Sequence, residues 1–282
     1  QLLITMDGQH VQKSPFDLQV RRNYSTLCNP DQVFSCRGAP TGIAIHHSGD
    51  IYVAIVGKIC ICVFDQAGQE KKAIASIGSG DGQFQRPRGI FIKGDVMYVA
   101  DAGNHRIQKL TTGGQFLQTY HGSGQEQFNY PISVIVDQRD RLIVSDHSNH
   151  RVVILDQAGT CLLTINGNVF SFQNPYGLAL DSQGNIHLAA GGSNTIKVFT
   201  PEGIYVRSYG NLKGPSGMVI DEEGYSLVNE REGNCLSIFD PRGNKVHTVG
   251  NLNKPRGVIQ DPKSGSVYVV NFGTKTVLKY SV

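Results

Sequence analysis

The chain has 282 residues, 39% of them hydrophobic, with a formal net charge of +3. No apolar run reaches the roughly 18 residues of a membrane-crossing helix, so a membrane partner is not expected, and so mild a charge does not by itself imply nucleic acid. With 33 glycines and no Trp, short apolar runs separated by glycine point to many strands joined by tight turns.

In chain order, Gln1 to Thr5 reads as a strand. No basic segment with a cleavage site follows, so no signal peptide is expected. The chain starts without Met and is expected to be a piece of a longer protein. Residues from about Asn23 to Cys28 are expected to form one more strand, for a reason that the rest of the sequence supplies.

That reason is a repeat. A Pro-x-small-apolar anchor occurs at Pro40-Thr41-Gly42-Ile43, Pro87-Arg88-Gly89-Ile90, Pro131-Ile132-Ser133-Val134, Pro175-Tyr176-Gly177-Leu178, Pro215-Ser216-Gly217-Met218 and Pro255-Arg256-Gly257-Val258. Successive prolines lie 47, 44, 44, 40 and 40 residues apart. After each anchor come an apolar strand, a polar turn, a second strand ending in an acidic or small residue (Met97 to Asp101), a short loop, an alternating third strand (Arg106 to Leu110), a glycine turn and a fourth strand. Four strands in roughly 40–45 residues make a propeller blade. No segment sustains a 3.6-residue apolar period, so helix should be nearly absent. The fold class is therefore all-β, a six-bladed β-propeller of four antiparallel strands per blade.

The sixth repeat ends at Val282 after only three strands. Its fourth strand is expected from the N-terminal side, with Asn23 to Cys28 pairing against Lys275 to Tyr280 and closing the ring. Residues 23–282 then form the propeller, and residues 1–22 stand apart. Cys28, Cys36, Cys60, Cys62, Cys161 and Cys235 show no zinc-type spacing and are read as reduced and mostly buried, which fits a cytoplasmic protein. The Asn23-Tyr24-Ser25 triplet matches a glycosylation sequon of a kind common by chance.

Alternating strand directions place the linkers into each anchor and the loops between second and third strands on one face. Charge on that face is uneven. Blades 6, 1 and 2 carry Asp31, Arg37, Lys58, Asp81, Arg86, Arg88, Asp101, Arg106, Lys254, Arg256 and Lys275, a net +5. Blades 3 to 5 sum to −1. A one-sided basic arc is the footprint of a phosphate backbone. Tyr130 and Tyr176 sit on the same rim, placed either to stack on unpaired bases or to pack between blades. The candidate RNA- or partner-binding residues are Arg37, Lys58, Arg86, Arg88, Tyr130, Tyr176, Lys254, Arg256 and Lys275.

Catalytic and metal patterns are weak. Asp101 with Arg106, and Asp146 with Arg151, recur five residues apart, and a feature repeated in successive blades reads as a structural pair fixing the loop. Asp181, Asp221 and Asp261 open turns as Asx-type caps rather than calcium ligands. His105, His121, His147 and His150 lie near the candidate face, but His105 and His150 sit in loops away from the channel, so no zinc site is expected. His46 and His47 end an inner strand, and one of them reads as a satisfied polar residue at the channel floor. No G-x-S-x-G, P-loop or H-E-x-x-H pattern occurs. No cofactor, catalytic residue or small-molecule substrate is expected.

The segments Val99-Ala100-Asp101-Ala102-Gly103-Asn104-His105-Arg106-Ile107 and Val144-Ser145-Asp146-His147-Ser148-Asn149-His150-Arg151-Val152 resemble NHL repeats, as do the linkers Gly78 to Phe84 and Gly122 to Phe128. The Asp position of the pattern changes to Ile55, Ala190, Glu230 and Asn271 in the other blades, and the Arg position to Cys60, Thr195, Cys235 and Thr276. Residues Asp7 to Val20 resemble the last hairpin of a filamin-type immunoglobulin repeat. That succession is similar to TRIM-NHL proteins. The resemblance implies a recognition module binding an RNA stem-loop or a substrate protein, in a ubiquitin ligase or post-transcriptional regulator whose RING, B-box and coiled coil would lie upstream. It also implies that the basic residues flanking the anchors, Arg86, Arg88, Lys254 and Arg256, contact RNA. A protein-interaction scaffold is the alternative, and a metal-dependent propeller hydrolase or lyase a third. A WD-repeat propeller is disfavoured by the absence of Trp.

Overall fold

The computed structural model describes residues 5–6, 9–10, 23–57, 60–122 and 127–282. Six four-stranded antiparallel sheets follow one another around a central channel. In the second blade Pro87–Lys93, Val96–Asp101, Arg106–Thr111 and Phe116–Tyr120 pair in sequence order. Helix is confined to one turn at Gly167–Phe170 and short 3-10 turns among the described residues.

The core lies between blades. Six clusters of buried side chains each join two neighbouring sheets. This is what a sheet apolar on both faces requires, and only a closed ring gives every blade two partners. Around the channel the first strands approach backbone to backbone. A Cβ on Gly42 would stand 2.0 Å from the carbonyl oxygen of Arg88, and one on Gly217 2.2 Å from that of Arg256, so these anchor positions tolerate no side chain. The residue after the proline supplies the cross-link. Thr41 Oγ1 donates to the Pro87 carbonyl at 2.9 Å, and Ser216 Oγ to that of Pro255 at 3.0 Å.

Ring closure does come from the N-terminal side, but not from the expected residues. Gln32–Ser35 completes the sixth sheet, with Ser35 opposite Thr276 and Gln32 opposite Lys279. Residues 23–28 fold instead into a 3-10 turn at Tyr24–Thr26, capped by the Asn23 side chain. Tyr24 and Leu27 enter the core between blades 5 and 6, and the Tyr24 hydroxyl donates to Asp221 and accepts from Gln260. Pro30 separates this plug from the strand, and in the strand Phe34, 1% exposed, is the inward residue against Phe64 and Tyr268.

The cysteines also differ from expectation. Among those described, only Cys62 is buried; Cys36, Cys161 and Cys235 are half-buried and Cys28 is exposed. The filamin-like stretch Asp7 to Val20 lies outside the described residues, apart from Gln9–His10, which pairs with Thr5–Met6.

Candidate nucleic-acid interface

In blades 2, 3, 5 and 6 the residue that ends the second strand holds the linker into that blade through its side chain. Asp101 Oδ1 accepts the Gln85 backbone N–H at 2.6 Å, and Asp146 Oδ1 accepts that of Asn129 at 2.7 Å. Glu230 does the same for Lys213 and Asn271 for Asn253. Arg106 then bonds Asp101 Oδ2 at 2.9 Å and the carbonyls of Ser79, Gly80 and Gln83. The recurring Asp–Arg pair is thus a loop clamp. Both Asp101 and Asp146 are fully buried, so neither carboxylate offsets the positive charge of the face.

With the linkers fixed, the residue after the proline in blades 2, 4 and 6 reaches the mouth of the channel, whereas Thr41 and Ser216 in blades 1 and 5 are buried in the cross-links described above. Arg88, Tyr176 and Arg256 stand there, above a cavity of about 330 Å³ walled by the apolar first strands, among them Ile90, Val134, Leu178 and Val258. Arg88 Nη2 donates to the Tyr130 hydroxyl at 2.7 Å, and Arg256 Nη1 donates to that of Tyr176. His147 lies edge-on between the two tyrosines, with ring centroids 6.2 Å from Tyr130 and 5.9 Å from Tyr176. The Arg231 guanidinium sits 6.0 Å above the Tyr176 ring, and that of Arg256 4.3 Å above Phe272.

The electrostatics follow from this crowding. Burial pushes His147 down to about 4, helped by His150, Arg88 and Arg231. Burial alone would raise the Tyr130 phenol, but hydrogen bonding and charge from Arg88 and then Arg86 outweigh it and hold the group below its ordinary value. Burial lowers Arg256, with Arg88 and Arg231 adding like-charge repulsion.

Four of the expected residues, Arg88, Tyr130, Tyr176 and Arg256, therefore meet at one place, with Arg86 beside them. Lys254 and Lys275 are exposed on the surrounding loops, where both hold left-handed backbone, φ 50° and 58°. Arg37 is drawn away: it pairs with Glu70 at 2.9 Å, at the start of blade 1's fourth strand. Lys58 lies outside the described residues. The arc drawn through blades 6, 1 and 2 shifts accordingly, because Arg106 and Arg151 are spent on their aspartates and exposed Lys213 and partly exposed Arg231 bring blade 5 into the surface.

His147, Arg231 and Phe272 were missed as mouth residues. Each directly follows the terminal residue of a second strand, after Asp146, Glu230 and Asn271, and comparing that column across blades would have found them. His105 and His150 are committed elsewhere, each accepting a backbone N–H of the next linker. The Asx-cap reading also holds in detail: Asp181 Oδ1 accepts from Gln183 and Asn185, and Asp221 Oδ1 from Glu223 and Tyr225. On the opposite face, among the described residues, one group places three possible metal ligands together, His46, His47 and Asp95. His46 Nε2 meets Asp95 Oδ1 at 3.0 Å, and its Nδ1 meets Ser48 Oγ at 2.8 Å.

Comparison with known proteins agrees with this architecture. The NHL repeat is matched over residues 128–155. The chain is 31% identical over 126 residues to Protein brain tumor of Drosophila melanogaster, covering 44% of this chain and 12% of that protein. It is 26% identical over 171 residues to the B-box type zinc finger protein ncl-1 of Caenorhabditis elegans, covering 56% and 20%. The chain thus spans a fifth or less of these two relatives. In fold it resembles a streptogramin B lyase (TM-score 0.68, 14% identity, 88% of this chain and 96% of that one) and a gluconolactonase from Xanthomonas campestris (TM-score 0.75, 13% identity, 92% and 93%). At such identity the likeness concerns the propeller alone. The chain is thus a six-bladed β-propeller that carries an NHL repeat at residues 128–155 and is similar over part of its length to Protein brain tumor and ncl-1. No helix of the described residues is long and apolar enough to cross a membrane.

Proposed function

We propose that this chain is a non-catalytic recognition module of a cytoplasmic regulatory protein, docking an RNA stem-loop on the face that carries the anchors. One observation carries the reading. Exposed Arg86, Lys213, Lys254 and Lys275 surround the Arg88–Tyr130–His147–Tyr176–Arg256 mouth, while the carboxylates of Asp101, Asp146 and Glu230 on that face are buried against Arg106, Arg151 and Lys245. Cations left free beside aromatic rings suit phosphates and unstacked bases. Similarity to Protein brain tumor and ncl-1 supports a macromolecular partner. Any ubiquitin-ligase activity would belong to upstream domains of a parent protein, and the filamin-like hairpin would join the propeller to them.

The test is hairpin RNA binding by fluorescence anisotropy across a salt series. Affinity should fall linearly with salt on logarithmic axes, with a slope set by the number of phosphates neutralised. Arg86→Glu combined with Lys254→Glu should weaken every hairpin and flatten that slope. Absence of binding at low salt, together with cellular partners that survive ribonuclease, would replace RNA with a protein partner on the same face.

A further inference from the structure

Five buried side-chain nitrogen or oxygen atoms among the described residues lack a hydrogen-bond partner, and three of them lie at the channel mouth: Arg88 Nε, His147 Nδ1 and Arg256 Nε. Buried polar atoms without partners are rare in folded proteins because each costs the desolvation of its group. Here they gather where charge is also unbalanced. Arg256 feels the charges of Arg88 and Arg231, and His147 feels the same two arginines. Arg231 is partnered by Glu232 at 2.8 Å. Arg88 and Arg256 donate instead to the phenol oxygens of Tyr130 and Tyr176.

We propose that the channel mouth is a seat for a single phosphate group, held by the guanidiniums of Arg88 and Arg256 with His147 as a third donor. The inference deepens the RNA reading, since a docked strand would supply the phosphate. Its chemistry stands on the mouth alone. Donors from three separate side chains suit a tetrahedral group with several free oxygens better than a planar carboxylate, which a single guanidinium fork satisfies. The Nε atoms are sealed in the present arrangement. The phosphate therefore enters as each guanidinium turns from its tyrosine, trading a neutral acceptor for a charged one about twice as strong. The basic residues on the surrounding loops contribute attraction at a distance and no direct bond to the group.

The experiment titrates inorganic phosphate into the 282-residue chain, followed by calorimetry and by melting temperature at constant ionic strength with chloride as the control. Saturable binding with a rising melting temperature is expected. Arg256→Gln and Arg88→Gln should each weaken it about ten-fold or more, the loss of one charge-assisted hydrogen bond, whereas Lys275→Gln, which removes only distant attraction, should weaken phosphate far less than either while weakening RNA. His147→Gln keeps a donor without the ring and guards against a variant that fails to fold; protection of His147 from diethyl pyrocarbonate by phosphate reads the same event in the unmodified chain. No phosphate binding by the unaltered chain, or equal binding by Arg256→Gln, overturns the seat. RNA binding by a chain blind to phosphate sinks the seat and spares the RNA reading; phosphate binding without RNA does the reverse. Comparing a short RNA with and without a 5′-phosphate separates a terminal group from the backbone as the source.

Discussion

The Nδ1 atom of His105 accepts the backbone N–H of Tyr130 at 3.0 Å, so a loop of blade 2 fixes the residue that opens blade 3. The relation recurs as His150 with Asn174, Asn194 with Gly214 and Asn234 with Lys254. At both ends the backbone is left-handed: φ is 54° at His105 and 56° at Tyr130. Asn and His tolerate that region better than β-branched or bulky residues, and each carries an acceptor at the reach required. The Asn-His character of the repeat is therefore a joint between blades, and it orients Tyr130 toward the channel mouth.

His105→Ala should cost about 1–2 kcal/mol, combining one hydrogen bond with the left-handed strain of alanine. His105→Asn should cost little, because blades 4 and 5 already use Asn at this place. Urea unfolding of both variants checks the pair, and equal losses would assign the effect to packing of the imidazole.

The buried clamp makes a larger prediction. Asp101 is 0% exposed and accepts from Gln85, Asn104, Arg106 and Gln108. Asp101→Ala leaves the Arg106 guanidinium, about 4% exposed as a residue, without its counter-charge. The expected loss is about 3–5 kcal/mol, with hydrogen exchange rising first in the linker from Gly78 to Gln85. Replacing both Asp101 and Arg106 by apolar residues should lose less than Asp101→Ala alone.

How much of this was legible before the structure depends on what repeats. The anchors, the blade count and the strand order follow from a period that every blade must obey, and the Asp–Arg pairs were readable as structural because they recur. The closing strand occurs once. Nothing periodic separated Asn23–Cys28 from Gln32–Ser35, and the choice rests on Phe34 fitting between Phe64 and Tyr268, a contact at the seam between blades 6 and 1. The binding surface was half legible for the same reason. Formal charge counted Arg106 and Arg151 as free cations, but burial against aspartate removes them, while His147 and Arg231 reach the mouth through a loop direction that no single repeat announces.

Closure gives a third prediction. Phe34→Ala should destabilise the propeller by about 3–5 kcal/mol, the usual range for emptying a buried aromatic site. Tyr24→Phe, which removes only a hydroxyl shared with Asp221 and Gln260, should cost about 1–3 kcal/mol. If Phe34→Ala melted like the unaltered chain, Gln32–Ser35 would not be what holds blade 6 to blade 1. The two variants separate the strand from the plug beneath it, because Tyr24 belongs to the core between blades 5 and 6 and Phe34 to the one between blades 6 and 1.

Acid should act through His147. Its ordinary value is 6.5 and burial pushes it down to about 4 in the folded chain. Above 6.5 the ring is neutral in both states and the shift has no effect on stability. Between 6.5 and about 4 the unfolded chain binds a proton that the folded chain refuses, so stability falls as pH falls through that window. The carboxylate of Glu230 adds to the slope lower down. Burial would raise it, but Ser237, the Lys213 N–H and Lys245 hold it below its ordinary 4.5, so its stabilisation is present above that value and fades as pH drops through its folded one. His147→Gln should reduce the upper part of the slope, to which His187, also lowered by burial, contributes the rest, and leave the lower part. Imidazole shifts followed by NMR give the titration directly, and a midpoint near 6.5 for His147 would mean that the ring stands in water, outside the cluster of Tyr130, Tyr176 and Arg88.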